Sequence, residues 1–444
     1  MHVFPQLRKL EQKYQRELAV VSVHSAKFPA ERLTENVRQA ALRYRIEHPV
    51  VNDVGFDIWD AYACRAWPTM YLIDPRGRIM ARHEGEINLD EFDQFIGKAA
   101  QEFQQNGLLD LKPLSFHTEA IRATPLRFPG KVLADAASNR LFIADSNHHR
   151  IVVTTLDGQV CQVIGDGAAG LKDGDFATAQ FDGPQGVALV EDTLFVADTE
   201  NHCLRVVSLD RGRVMTLAGV GEQARGFHQG GPARDAPLNS PWDVAYHDMH
   251  LFVAMAGFHQ LWSLDLRTGV IAPHAGSGRE GLYDGPGQSA MLAQPSGLTT
   301  DGRRLYFVDS ETSSVRMTGL AGGDAVQTIV GQDLFVFGDV DGVGDDVRLQ
   351  HPLGVAHYDG ALYVVDSYNH KVKRVSPAAR TSVTYLGSGE AGATDGPLAE
   401  ARLHEPGGLS IAGGRMYIAD TNNHAIRVVD MVSGKVRTLE IRGL

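Results

Sequence analysis

The chain has 444 residues, enough for two or three domains that each bury a core. Its 42 Lys and Arg against 54 Asp and Glu leave a net charge of −12, poor material for gripping a phosphate backbone, so nucleic acid is set aside as a partner. With 43% apolar residues there is no continuous apolar run of about 18 and no signal-like opening, so neither membrane nor leader is read; the three cysteines make no disulfide framework, and the reading is cytoplasmic.

Residues 1–104 alternate helix and strand. Leu7, Leu10 and Tyr14 mark a helical stripe, LAVVSVHS a strand, ENVRQAALRYRI a second helix and VVND a second strand. TMYLID and RIMARHEG follow as a hairpin, and LDEFDQFIGKAAQEF as a closing helix with Asp90 and Glu91 in its first turn. The stretch AWPTMYLIDPRGRI (66–79) resembles the cis-proline loop of thioredoxin-like domains, with Pro68 as that proline. The resemblance implies that Trp67, just before it, contacts substrate backbone.

A Cys-x-x-Cys pair normally faces such a loop, but the cysteines here are Cys64, Cys161 and Cys203. Cys64, four residues before Pro68, is a substrate-contact candidate or a small buried hydrophobe; Cys161 and Cys203 read as core strand residues. Within the resemblance, Pro5 matches a proline that follows the second cysteine of the dithiol by five residues. The expectation is therefore an N-terminally truncated gene model lacking the first strand and the dithiol. The rival is a degenerate thioredoxin scaffold. No catalytic residue is assigned within this chain.

After a linker at 105–126, residues 127–444 are dominated by a repeat. LFIADSNHH, LFVADTENH, LFVAMAGFH, LYFVDSETS, LYVVDSYNH and MYIADTNNH recur, anchored on Asp145, Asp198, Met255, Asp309, Asp366 and Asp420, at intervals of 53, 57, 54, 57 and 54 residues. A Pro-x-Gly-Val/Leu signature precedes the anchors, with Pro241-x-Asp243 as its relaxed form, and a Gly-containing turn lies eleven residues before each proline. Each unit reads as four short strands, which predicts a six-bladed β-propeller. The x-A/V-D-S/T-x-N-H core resembles the NHL repeat. Joined to a thioredoxin-like domain, it resembles the NHL-repeat-containing protein 2 family, whose further C-terminal β-domain is not present before Leu444.

The repeat places His149, His202, His259, His370 and His424 four residues after the anchors. A metal needs three or four converging ligands, whereas repeat-locked histidines are expected to tie their own blades; no metal and no cofactor is assigned. The Asp anchors are expected to fix turns. The acidic segments KDGDF and DVDGVGDD offer oxygen ligands for Ca²⁺, but the latter lacks the twelve-residue pattern and terminal Glu of an EF-hand and Asp-Gly turns explain both, so calcium is the lesser alternative; neither a nucleophile elbow nor a phosphate loop occurs. The anchors and histidines are expected on one propeller rim that binds a protein or peptide partner. The family resemblance implies thiol-disulfide chemistry for a complete N-terminal domain; a non-catalytic scaffold and a metal-dependent propeller hydrolase or lyase are the alternatives.

Overall fold

A computed structural model describes residues 3–85, 87–112, 114–116, 118, 119 and 123–444. The chain divides into two compact units, Met1–Ala123 and Thr124–Leu444.

The first unit runs α1 (Phe4–Lys13), β1 (Ser22–His24), α2 (Thr34–Arg43), β2 (Val50–Asn52), α3 (Asp57–Ala61), β3 (Thr69–Ile73), β4 (Ile79–Glu84) and α4 (Leu89–Gln105). Strands β1 and β2 pair in parallel, Ser22 opposite Val50, and β3 and β4 pair antiparallel, Thr69 opposite Glu84. Among the described residues these are two separate two-stranded sheets. The expected strand LAVVSVHS shortens to three residues because it is paired on only one edge, and Val21 and Val23 remain exposed. The Asn88 side chain accepts from the Asp90 N–H and caps α4, and acidic Asp90 and Glu91 complement its N-terminal dipole. The α4 stripe Leu89, Phe92 and Ile96 packs with Leu7 and Leu10 of α1, with Tyr14 that caps it, and with Met70 and Leu72 of β3. Beyond α4 the expected linker is tied back to this unit, since Arg16 donates to the Leu111 carbonyl and Arg38 pairs with Glu119.

The second unit is a six-bladed β-propeller. Six antiparallel sheets follow one another along the chain: blade 1 at 132–164, blade 2 at 184–218, blade 3 at 241–275, blade 4 at 295–330, blade 5 at 354–386 and blade 6 at 408–438. Each has four main strands with the first innermost. In blade 2 these are Pro184–Val190, Thr193–Asp198, Cys203–Ser208 and Arg213–Ala218. The Gly-containing turns add a short fifth strand to four blades, as where Gly174–Asp175 pairs with the outermost strand of blade 2.

A single twisted blade has two faces to bury, and a neighbour covers each one. Six apolar clusters result, one per junction. Phe142, Ile151, Phe181 and Val196 lie between blades 1 and 2, and Leu141, Val152, Tyr417 and Ile426 close the ring between blades 1 and 6. That closure is also a backbone one, because Val160 N donates to the Arg442 carbonyl and Arg442 N to the Gly158 carbonyl.

Candidate functional site

The anchor aspartates are not on a rim surface. Asp145, Asp198, Asp309, Asp366 and Asp420 are each 0% exposed, at the buried end of the second strand of each blade. They do more than fix local turns. In blade 2, Asp198 Oδ1 accepts from the Asp182 N–H at 2.8 Å, across the crossover from blade 1. Its Oδ2 receives Arg205 at 2.9 Å and Asn201 at 2.8 Å. Arg205 continues to Asp173 at 2.9 Å, and Asp173 accepts both N–H and O–H of Thr216. This chain pins crossover, second strand, third strand and outermost strand together. Blades 4 and 6 repeat it with Asp309, Arg316, Asp284 and Thr328 and with Asp420, Arg427, Asp395 and Thr438.

Three blades vary the theme: in blade 1, Asp145 Oδ2 receives Arg150 at 2.8 Å and His148 at 2.9 Å, and Val152 stands in the arginine's place. In blade 5, Lys373 is spent on Asp339, Asp341 and Thr384, and Asp366 keeps only the Gln350 N–H and Asn369 as close donors. Burial pushes the Asp366 carboxyl up to about 7, and those of Asp198 and Asp420, which have an arginine in contact, up to about 6. Blade 3 loses every member of the chain at once: Met255 replaces the anchor, Trp262 the arginine, Gly230 the turn aspartate and Pro273 the threonine. Trp262 is 0% exposed and donates its Nε1–H to Gln260 at 2.9 Å. An ionic arrangement has been exchanged as a set for an apolar one.

The histidines reach the neighbouring blade rather than their own. The left-handed backbone at each (φ 51–56°) turns Nδ1 toward the residue before the next blade's first proline, or before Pro406 in the case of His370. His149 accepts from the Gly183 N–H at 3.2 Å, His202 from Ser240 at 3.0 Å and His259 from Gln294 at 3.2 Å. His370 accepts from Glu405 at 3.1 Å, and His424 from Phe128 at 3.0 Å, across the ring closure. Sequence reading missed the sixth member: Ser313, also left-handed, accepts from the His351 N–H at 3.2 Å. An imidazole that accepts an N–H at Nδ1 carries no proton there, the state that burial also favours for His259, His370 and His424. Burial holds the His370 and His424 pKa values down at about 4. The five rings staple successive junctions and do not converge, and no group of three or more His, Cys, Asp or Glu placed to hold a metal occurs among the described residues.

In the N-terminal unit the Trp67–Pro68 peptide is cis. Trp67 is 47% exposed, donates its Nε1–H to the Ser25 carbonyl at 2.8 Å and lies against Trp59 with ring centroids 4.4 Å apart. Cys64 is half-buried, its N–H bonded to the Trp59 carbonyl. Cys203 is buried, its thiol pushed up to about 12 by burial, whereas Cys161 is exposed on an outermost strand. A further chain, Ser22 Oγ to His48 Nε2 at 2.7 Å and His48 Nδ1 to Glu11 at 3.0 Å, has no motif in the sequence. With the His48 side chain 3% exposed, it ties β1 to α1.

A model of the NHL repeat matches residues 181–207, the stretch that contains Asp198, Asn201, His202 and Arg205. NHL repeat-containing protein 2 of Homo sapiens is 39% identical over 480 residues, covering 99% of this chain and 66% of that protein. The chain belongs to the NHL repeat-containing protein 2 family. Protein SUPPRESSOR OF QUENCHING 1, chloroplastic, of Arabidopsis thaliana is 42% identical over 471 residues, covering 100% of this chain and 44% of that protein. The chain thus spans about half to two thirds of the curated relatives of the NHL repeat-containing protein 2 family. The thiol-disulfide oxidoreductase ResA of Halalkalibacterium halodurans is 27% identical over 95 residues, 21% of this chain and 50% of that protein. No helix among the described residues is long and apolar enough to cross a membrane.

Proposed function

We propose that this chain is a protein-binding propeller joined to a thioredoxin-derived unit, and that within this chain the unit recognises a partner without exchanging disulfides. The observation that carries it is Trp67: a large ring, 47% exposed, pinned at Nε1 and backed by Trp59, is a rigid apolar platform of the kind that anchors peptide contacts. The order of helices and strands and the partial similarity to ResA support the thioredoxin relationship. Disulfide exchange starts from an accessible low-pKa thiolate and needs a second thiol to release the mixed disulfide. Cys64, Cys161 and Cys203 include no Cys-x-x-Cys spacing, so these 444 residues supply no such dithiol for the exchange.

Two measurements test this. Reduction of insulin by the 444-residue chain should not exceed the background set by dithiothreitol, and sustained turnover would sink the non-redox reading. Affinity purification from the native host, quantified against a Trp67→Ala variant, should recover a protein that the variant loses. Equal recovery by both proteins would remove Trp67 as the anchor. The compartment is proposed as cytoplasmic, and fractionation of the host with an antibody to this chain tests it.

A further inference from the structure

The third residue of the Pro-x-Gly signature lies on the propeller axis. Around the ring these residues are Lys131, Gly186, Asp243, Gly297, Gly354 and Gly408. Their packing is tight enough to require glycine: a Cβ on Gly354 would stand 2.8 Å from the Gly408 Cα, and one on Gly297 2.9 Å from the Gly354 Cα. Two of the six positions are charged, with opposite signs, in blades 1 and 3. Lys131 is 5% exposed and Asp243 7%.

The Lys131 side chain leaves blade 1 and places its Nζ among oxygens of three other blades. It lies 3.1 Å from Asp243 Oδ2, 2.7 Å from the Ser296 carbonyl and 2.6 Å from the Leu353 carbonyl. Burial works against the charge on both Lys131 and Asp243, and each opposes that effect on the other. As an ammonium, Nζ has three N–H donors and no acceptor, and all three are used. Asp243 is held in turn by the Val244 and Leu298 N–H groups, both at 2.9 Å. The innermost strands have no neighbouring strand on the axial side, so carbonyls such as those of Ser296 and Leu353 point at the axis without a ladder partner. A carboxylate and two carbonyls converging on one point form an oxygen cage that selects a cation.

We propose that the propeller axis is a cation-binding site filled by the tethered ammonium of Lys131, and that removing this side chain leaves a site that takes a small free cation of the alkylammonium class. The lysine supplies its own cation, so ring closure needs no dissolved ion. The site is separate from Trp67 and stands whether or not the partner-binding reading holds.

The test uses the full chain with Lys131→Gly, which installs the residue found in four other blades. Thermal unfolding is followed at constant ionic strength in methylammonium chloride or in tetramethylammonium chloride, whose cation has no N–H and is too large for the cage. The variant should melt below the wild type and recover progressively with methylammonium, the gain rising with the logarithm of concentration above its Kd. Tetramethylammonium should do nothing, and the wild type should respond to neither. A Lys131→Gly protein no more sensitive to methylammonium than the wild type overturns the proposal. So does equal methylammonium rescue of Lys131→Gly/Asp243→Gly, which lacks the cage carboxylate. If Lys131→Gly does not fold on expression, refolding from urea is the readout. Recovery with methylammonium alone supports the site, and failure with both salts overturns it.

Discussion

Blade 4 offers a direct test of the idea that the charged chain works only as a set. Arg316→Met would leave Asp309, 0% exposed, with the Ala293 N–H as its one remaining close donor. It would also remove the arginine donor from the Met291 and Tyr283 carbonyls, which keep each other's backbone N–H, while Asp284, with a side chain 43% exposed, is rescued by water. Breaking one half of a buried ion pair costs about 3–5 kcal/mol, mostly as the penalty of an uncompensated charge. Blade 3 shows the apolar alternative already built, with Met255, Gln260, Trp262 and Gly230 at the corresponding places. Transplanting it as Asp309→Met, Ser314→Gln, Arg316→Trp and Asp284→Gly should return stability to within about 2 kcal/mol of the wild type, because replacing a whole buried ion pair by packed apolar groups is close to neutral. Equilibrium urea unfolding, followed by circular dichroism of the strand-rich unit, measures both proteins. If the transplant is as unstable as Arg316→Met alone, or as unstable as its substitutions summed, the units are not interchangeable sets and the reasoning fails.

Three further outcomes follow from the same geometry. His370 is held at about 4 against an ordinary 6.5, so the native state resists a proton that the unfolded chain takes up. Its stabilisation is present above pH 6.5 and lost as pH falls toward 4, at most about 3 kcal/mol. The raised carboxyls of Asp198, Asp366 and Asp420 act with the opposite sign, gaining relative stability as pH falls, so the effect is read as the difference between wild type and His370→Asn, which should be the less acid-sensitive of the two. A thiol reagent at neutral pH should modify the exposed Cys161 and leave the buried Cys203, pushed up to about 12, until the propeller unfolds; mass spectrometry of the labelled peptides decides this. Asn88→Ala, which removes the α4 cap, should destabilise the N-terminal unit by about 1 kcal/mol by thermal denaturation, with Asn88→Asp restoring it.

Much of the architecture is local in origin and therefore legible in the chain itself. Six copies of an alternating apolar segment, five of them ending in Asp, spaced by 53 to 57 residues, leave a ring of four-stranded blades as the solution that buries both faces of each copy. The departure of blade 3 is visible in the sequence as Met255 among the aspartate anchors, and the cis bond as Trp67-Pro68. Direction and destination were not legible. A histidine after an Asp-containing turn looks like a residue that closes that turn, and only the positive φ at His149, His202, His259, His370 and His424 sends its Nδ1 to the next blade. Ser313 shares the role without sharing the side chain, so no pattern of residue types could include it. Lys131 and Asp243 stand 112 positions apart, and only Asp243 read as part of a relaxed copy of the glycine motif. Periodicity determines which surfaces a segment must bury, because that depends on its own side chains. Which atoms meet across the axis depends on ring closure, and that is decided by all six blades at once.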